Sequence, residues 1–299
     1  MNTVTTKVYA DRQKIGFEHR DAIEKIRAAY GHTTSSHAFV SLYLWQEAME
    51  LSLLCETDFF AVGYGSPQEN KWFFPCGNPR KIHDFLALVG KESPLTLCYL
   101  RDCDRLWLEK SFPNRFCFRH AEESDEYIGN VAEYVAAAGS RFSEIRRKLR
   151  KLEREHTTDT RKIDAQTLPD ALYVARQWYK TEHYTGRQGL SDDRIAEKAL
   201  NEREKLGIDG IVLYADGAPV GLFAGFPLCG DTVDVLIGKC TPDAPKGTAY
   251  YALREYLRNL DPCFTRCNHE EDLGIEGIRQ MKESLCPTEK TAMWEAVSI

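Results

Sequence analysis

The run GIVLYADGAPVGLFAGFPL, residues 210–228, decides the fold of this 299-residue chain. Both halves are apolar and rich in β-branched and aromatic side chains. Between them stands Asp216-Gly217, a dipeptide that readily takes the positive φ angles of a tight hairpin turn. The run is therefore two antiparallel strands. DTVDVLIGKC (231–240) supplies the next strand, and TPDAPKGTAYYALREYLRNL (241–260) passes through a loop marked by Pro and Gly into a helix. PCFTRCN (262–268) is a strand, DLGIEGIRQMKESL (272–285) a helix, and TAMWEAVSI (291–299) a closing strand. The C-terminal half thus reads strand, strand, strand, loop and helix, strand, helix, strand.

Upstream, SRFSEIRRKLRKLEREH (140–156) is an amphipathic helix with Phe142, Ile145, Leu149 and Leu152 on one face and cations on the rest. DALYVARQWYKTEHY (170–184) and SDDRIAEKALNEREKLG (191–207) add two helices, the second with Ser191 as N-cap and Asp192 and Asp193 in its first turn. The first third also mixes element types. SSHAFVSLYLWQEAME (35–50) has a helical period, LSLLCETDFFAVGY (51–64) and KWFFPCG (71–77) are strands around the turn-rich GSPQEN, and PRKIHDFLALVGK (79–91) is helical again. PLTLCYL (94–100) and RFCFRH (115–120) return to strand, with the helical DCDRLWLEKSF between them. The stretch AEESDEYIGNVAEYVAAAGS (121–140) turns acidic and then small, which suits a connection, so the domain boundary is expected near Gly139. The expectation is an α/β (α+β) chain with an N-terminal domain over 1–138 and a C-terminal domain over 139–299.

Hydrophobic residues make up 43% and charged residues 28%, which excludes a disordered chain, and the net charge of −6 argues against a general nucleic-acid coat. No signal-peptide pattern and no apolar run of membrane-spanning length stands in the sequence, so a cytoplasmic protein without a transmembrane segment is expected. The 10 cysteines are scattered without a C-x-x-C pair and read as reduced core thiols. No metal site is expected: His269, Glu270 and Asp272 do not have the H-E-x-x-H order, and Cys263 and Cys267 lack a second pair at finger spacing.

The order of elements in the C-terminal half resembles the GCN5-related N-acetyltransferase (GNAT, acyl-CoA N-acyltransferase-like) fold. In that fold the loop before the helix that follows the fourth strand holds the donor's pyrophosphate, and Lys246, Gly247, Thr248 and Ala249 fall on it. The general physics is that free N–H groups at a helix N-terminus hold an anion. NHEEDLGIEGIRQMKESLCP (268–287) is similar to a motif of a bacterial family of tandem GNAT-fold proteins, itself similar to the C-terminal catalytic domain of phosphatidylglycerol lysyltransferase. Asn268, Glu270, Asp272, Leu273, Gly274, Gly277, Arg279, Lys282 and Pro287 match it; Ile278 replaces the usual Leu. Two departures stand out. The basic helix keeps Arg146 but changes its neighbours, and Gly238-Lys239 replaces a Glu-Lys pair in the strand before the loop. The resemblance implies two tandem GNAT-like domains of mixed sheets flanked by helices. It also implies an acyl- or aminoacyltransferase that draws on a CoA thioester or aminoacyl-tRNA and acts on an amine or hydroxyl, in a small molecule or a lipid headgroup. A non-catalytic module binding an anionic ligand or partner, and a tRNA-dependent enzyme acting on lipid, are the alternatives; DNA is not an expected partner.

Each candidate residue has two readings. Glu270 or Asp272 could take a proton in acyl transfer, whereas Asp272 could equally cap a helix beginning at Leu273. Arg279 and Lys282, three apart, could grip an anion with Asn268 or pair with Glu276 and Glu283 at the surface. Tyr250 is a candidate general acid or a packing tyrosine. Arg146 and its basic helix are a candidate contact for tRNA or a solvated face. Gly274 and Gly277 predict a close approach at the helix start.

Overall fold

A computed structural model describes residues 12–66, 69–91, 94–181 and 193–299 of the chain. The N-cap expected at Ser191 and the acid at Asp192 lie outside the described residues. The chain divides into two compact units, one of residues 1–125 with 291–299 and the other of residues 126–290.

In the first unit, helices α1 (Arg20–Ala29) and α2 (Phe39–Trp45) precede strands β1 (Ser52–Glu56), β2 (Phe59–Gly63), β3 (Lys71–Phe73) and β4 (Cys76–Gly77). Then come α3 (Pro79–Val89), β5 (Thr96–Leu100), α4 (Asp102–Ser111) and β6 (Phe116–His120). Asn78 caps α3 by accepting from the Arg80 N–H, and Pro79 stands at the first helical position, where its missing N–H costs nothing. The sheet runs β1-β2-β3-β5-β14-β6, where β14 is Trp294–Ser298. β3 and β5 are parallel and α3 crosses between them; β14 fills the gap between β5 and β6, antiparallel to both. The last residues of the chain therefore complete the first sheet, where the sequence reading assigned them to the C-terminal domain.

The second unit opens on β7 (Glu126–Asn130) and α5 (Val131–Ala136), followed by α6 (Ser143–Glu155), β8 (Thr158–Lys162), α7 (Leu168–Thr181), α8 (Asp193–Asn201) and α9 (Arg203–Leu206). β9 (Asp209–Ala215), β10 (Ala218–Cys229) and β11 (Thr232–Cys240) form the expected meander, with Asp216 and Gly217 both at positive φ in the hairpin turn. α10 (Thr248–Arg258) then crosses to β12 (Arg266–Asn268), and α11 (Glu276–Ser284) and β13 (Glu289–Thr291) follow. The sheet order is β13-β7-β12-β11-β10-β9-β8, with β11 and β12 parallel and β12 antiparallel to β7. The segment 126–136, expected as a connection, is instead a buried strand and a helix, and the division falls at 125/126 and not near Gly139.

One face of this sheet carries an apolar core from Ile145 and Leu149 of α6, Ala252, Leu253 and Tyr256 of α10, and Val233 and Val235 of β11. Between Ala224 and Phe226 the β10–β11 register slips, pairing Ala224 with Ile237 but Phe226 with Asp234. Such a bulge bends the strand and re-aims its side chains. All cysteines are free, as expected, but Cys103, Cys117 and Cys263 are exposed and not in a core.

Candidate active site

The parallel pairing of β11 with β12 covers only Thr232–Asp234 against Arg266–Asn268, so the ladder ends where Asp234 faces Asn268. In open α/β sheets, the carboxyl ends of parallel strands beside a topological switch are where ligands are received. β7 lies on the far side of β12, with Ile128 opposite Asn268. Its first residues, Glu126 and Tyr127, run beside the chain leaving β12: the His269 N–H donates to the Tyr127 carbonyl at 2.9 Å and the Tyr127 N–H to the Glu270 carbonyl at 3.3 Å. Three segments distant in sequence thus deliver side chains to one place.

Beyond Asn268 the chain does not stay extended. Glu270 sits at φ 57°, a left-handed conformation that strains a residue with a side chain, and Leu273 and Gly274 follow at 57° and 71°. Asn268, 0% exposed, stabilises the first bend by accepting from the Glu270 N–H at 2.8 Å, while its amide donates to Glu126 at 2.8 Å. The helix starts at Glu276, not at Leu273. Glu270 and Asp272 therefore do not share the face of an extended strand.

Asp272 is 0% exposed and has every acceptor direction in use. It takes hydrogen bonds from the Tyr127 hydroxyl at 2.6 Å, the Gly274 N–H at 2.8 Å, and Arg279 Nε and Nη2 at 2.9 and 3.3 Å. Burial would raise its pKa, but the bonds from Arg279, Tyr127 and Gly274 outweigh it and hold the carboxyl below the usual range. Its bond to Gly274 N–H makes it the anchor of a turn ahead of α11, and it forms an ion pair with the Arg279 guanidinium at 2.9 Å. Tyr127 is pushed the other way, first by burial and then by its bond to Asp272.

Lys282 is 8% exposed and donates to the Glu271 carbonyl. Burial lowers its pKa, against the opposing pull of Glu270, Glu271, Asp272 and Asp234. Asp234 is fully buried, and burial followed by the charges of Glu270, Glu126 and Glu271 raises its carboxyl well above the ordinary range. Burial likewise raises Glu271. His269 packs edge-on against Tyr134 and contacts Cys267; burial, then Lys282, lowers it to about 3, so it is a neutral core imidazole. No group of His, Cys, Asp and Glu among the described residues has the spacing to hold a metal ion.

The remaining expected residues lie elsewhere in the unit. Gly247 has φ 105°, and a Cβ there would stand 2.9 Å from the carbonyl oxygen of Lys148 in α6, so the loop needs glycine to pack against that helix. The Thr248 N–H and hydroxyl both donate to the Pro245 carbonyl, at 3.1 and 2.6 Å. Lys246 is exposed, and Ala249 is half-buried. The Tyr250 hydroxyl meets Ser284 Oγ at 2.8 Å and Lys148 Nζ at 3.4 Å, with that ammonium 4.6 Å from its ring centre. Arg146 donates to the Ala137 and Gly139 carbonyls just past α5, each at 2.5 Å. A Cβ on Gly277 would meet nothing within 4 Å, so the close approach expected there is absent. Asp234, Glu126 and Tyr127 were not nominated from the sequence; Asp234 sits in an ordinary strand pattern and Glu126 and Tyr127 in a stretch that reads as a connection, and only strand register brings them to the site.

Comparison with known proteins gives this geometry a context. No curated protein sequence matches the chain. A conserved protein of unknown function from Bacteroides thetaiotaomicron superposes with TM-score 0.86 at 21% identity, over 96% of this chain and 99% of that one. The L-PGS of Bacillus licheniformis superposes with TM-score 0.64 at 14% identity, over 92% of this chain and 90% of that one. The C-terminal domain of a lysylphosphatidylglycerol synthetase homologue from Agrobacterium fabrum gives TM-score 0.63 at 12% identity, over 94% of this chain and 92% of that one. At these identities the likeness shows the fold, a mixed α+β acyltransferase-like architecture. The family model described as phosphatidylglycerol lysyltransferase, C-terminal, matches residues 27–295. The chain therefore belongs to the family of phosphatidylglycerol lysyltransferase C-terminal domains.

Proposed function

We propose that the protein transfers an aminoacyl group from aminoacyl-tRNA to a hydroxyl or amine acceptor, with Glu270 as the general base. The observation that carries this reading is the division of labour among the carboxylates at the end of the β11–β12 ladder. Asp272 is saturated by Tyr127, Gly274 and Arg279; Glu126 and Asp234 are buried; Glu270 is half-buried on a strained backbone. Strained residues held by buried neighbours recur at reacting centres. The acceptor's O–H or N–H attacks the ester carbonyl carbon, Glu270 takes the proton, and collapse of the tetrahedral intermediate breaks the ester bond to the ribose. The ribose oxygen leaves with the proton that Glu270 took up. Lys282, beside the acids, offsets the charge that develops.

The loop at Gly247 supports aminoacyl-tRNA over a CoA thioester as donor. Its glycine packs on the Lys148 carbonyl, and the first N–H of α10 already serves Pro245, which leaves a poorer seat for a pyrophosphate. The family match supports a phosphatidylglycerol headgroup hydroxyl as the acceptor. Glu270→Gln is expected to lower transfer from aminoacyl-tRNA to phosphatidylglycerol in mixed micelles about 100-fold or more, with the melting temperature unchanged. Undiminished turnover in that variant would remove Glu270 from the mechanism.

A further inference from the structure

The bend that carries Glu270 is braced from two sides. Past Asn268, both His269 and Glu270 face Tyr127 of β7: the His269 N–H donates to the Tyr127 carbonyl at 2.9 Å, and the Tyr127 N–H donates to the Glu270 carbonyl at 3.3 Å. Two residues against one is the count of a β-bulge, which re-aims a side chain where a ladder ends. At its left-handed φ of 57°, the Glu270 N–H goes to Asn268 Oδ1 at 2.8 Å, and Asn268 Nδ2 donates to Glu126 Oε2 at 2.8 Å. Asn268 is 0% and Glu126 2% exposed, so the bridge is made out of water, where each bond is strong and a lost partner costly. An amide is the group that serves both ends. Aspartate in its place would accept from the Glu270 N–H but offer Glu126 no donor, and alanine would do neither.

We propose that Asn268 is a positioning residue: anchored on Glu126, it holds Glu270 on its left-handed backbone and so aims the Glu270 carboxylate into the site. Full burial and these two bonds fit that role better than the grip on an anion suggested by its place in the sequence motif. That the aimed carboxylate takes a proton rests on the transfer reading.

The test follows transfer in mixed micelles together with residue-resolved hydrogen exchange at the Glu270 amide. Asn268→Ala is expected to lower kcat about 30-fold or more, with KM for aminoacyl-tRNA within about twofold of wild type. It should also speed exchange at that amide about tenfold or more. Asn268→Asp sets a carboxylate against Glu126 and is expected to lose as much kcat. Adding Glu126→Gln to Asn268→Asp rebuilds the bridge with its polarity reversed, the new amide donating to the new carboxylate. That double variant is expected to recover kcat to within about fivefold of wild type. Should Asn268→Ala fail to fold, Glu126→Gln alone is the milder variant, with a smaller loss of kcat expected at unchanged KM. A rise in KM with kcat kept, unchanged exchange at Glu270, or a double variant no better than Asn268→Asp would overturn the proposal. Faster exchange and rescue alongside a fully active Glu270→Gln would leave the positioning in place and remove Glu270 as base; an inactive Glu270→Gln alongside a fully active Asn268→Ala would do the reverse.

Discussion

Asp272 shows what a single side chain can conceal in a sequence. An acid ahead of an apolar helix reads as a cap, and its bond to the Gly274 N–H has that local character. Its other partners do not follow from spacing: Tyr127 comes from a strand 145 positions earlier, and Arg279 turns back from the helix to meet it. Both ends of the pair count energetically. Removing the carboxylate takes an ion-pair partner from a guanidinium whose side chain is only 25% exposed, and the acceptor from a buried hydroxyl. Asp272→Ala is therefore expected to cost about 3 kcal/mol, measured by urea denaturation. A loss below about 1 kcal/mol would show that the network does not hold the turn. Arg279 and Lys282 were legible as a matched pair of cations; their commitment to Asp272 and the Glu271 carbonyl was not, because it depends on the three left-handed residues that fold the chain back.

Among the elements, those with a strong period were legible: the hairpin at Asp216-Gly217, the crossing helix after Gly247, and the amphipathic α6. β7 was not. EYIGN is short, stands among acids, and becomes a strand only because β12 and β13 pair with it. Two glycines, Gly247 ahead of α10 and Gly277 in α11, also separate in an instructive way. Gly247 stands at positive φ against a backbone carbonyl, so Gly247→Ala should destabilise by about 2 kcal/mol. Gly277 lies in open space in the first turn of α11, so Gly277→Ala should stabilise by about 0.5 kcal/mol. Paired denaturation curves check both; the same sign in both would contradict this account of where glycine is needed.

For the molecule as a whole, two mixed sheets could be foreseen from the alternation of elements, but their discontinuity could not, since β14 joins the first sheet through pairing between strands far apart in sequence. The first unit buries His32 and His37 and the second His269 as neutral imidazoles, which makes stability fall in acid. His37 in the first unit donates to the Phe74 carbonyl and stacks near His32, and burial lowers it to about 3, as it does His269 in the second. An unfolded histidine takes up a proton below about pH 6.5 that these folded ones refuse until near pH 3. Their contribution is therefore complete above pH 6.5 and falls by about 1.4 kcal/mol per pH unit for each histidine as pH drops through that window. Melting temperatures taken from pH 7 to pH 4 should decline accordingly, and His37→Asn, which cannot titrate, should flatten the slope if it folds. The central claim concerns the chemistry at Glu270. Single-turnover incubation of the protein with radiolabelled lysyl-tRNA and phosphatidylglycerol micelles, with labelled acetyl-CoA in a parallel reaction, tests it most directly. Label should move from the tRNA to the lipid in the wild-type protein and stay on the tRNA with Glu270→Gln; consumption of acetyl-CoA with lysyl-tRNA left intact would contradict it.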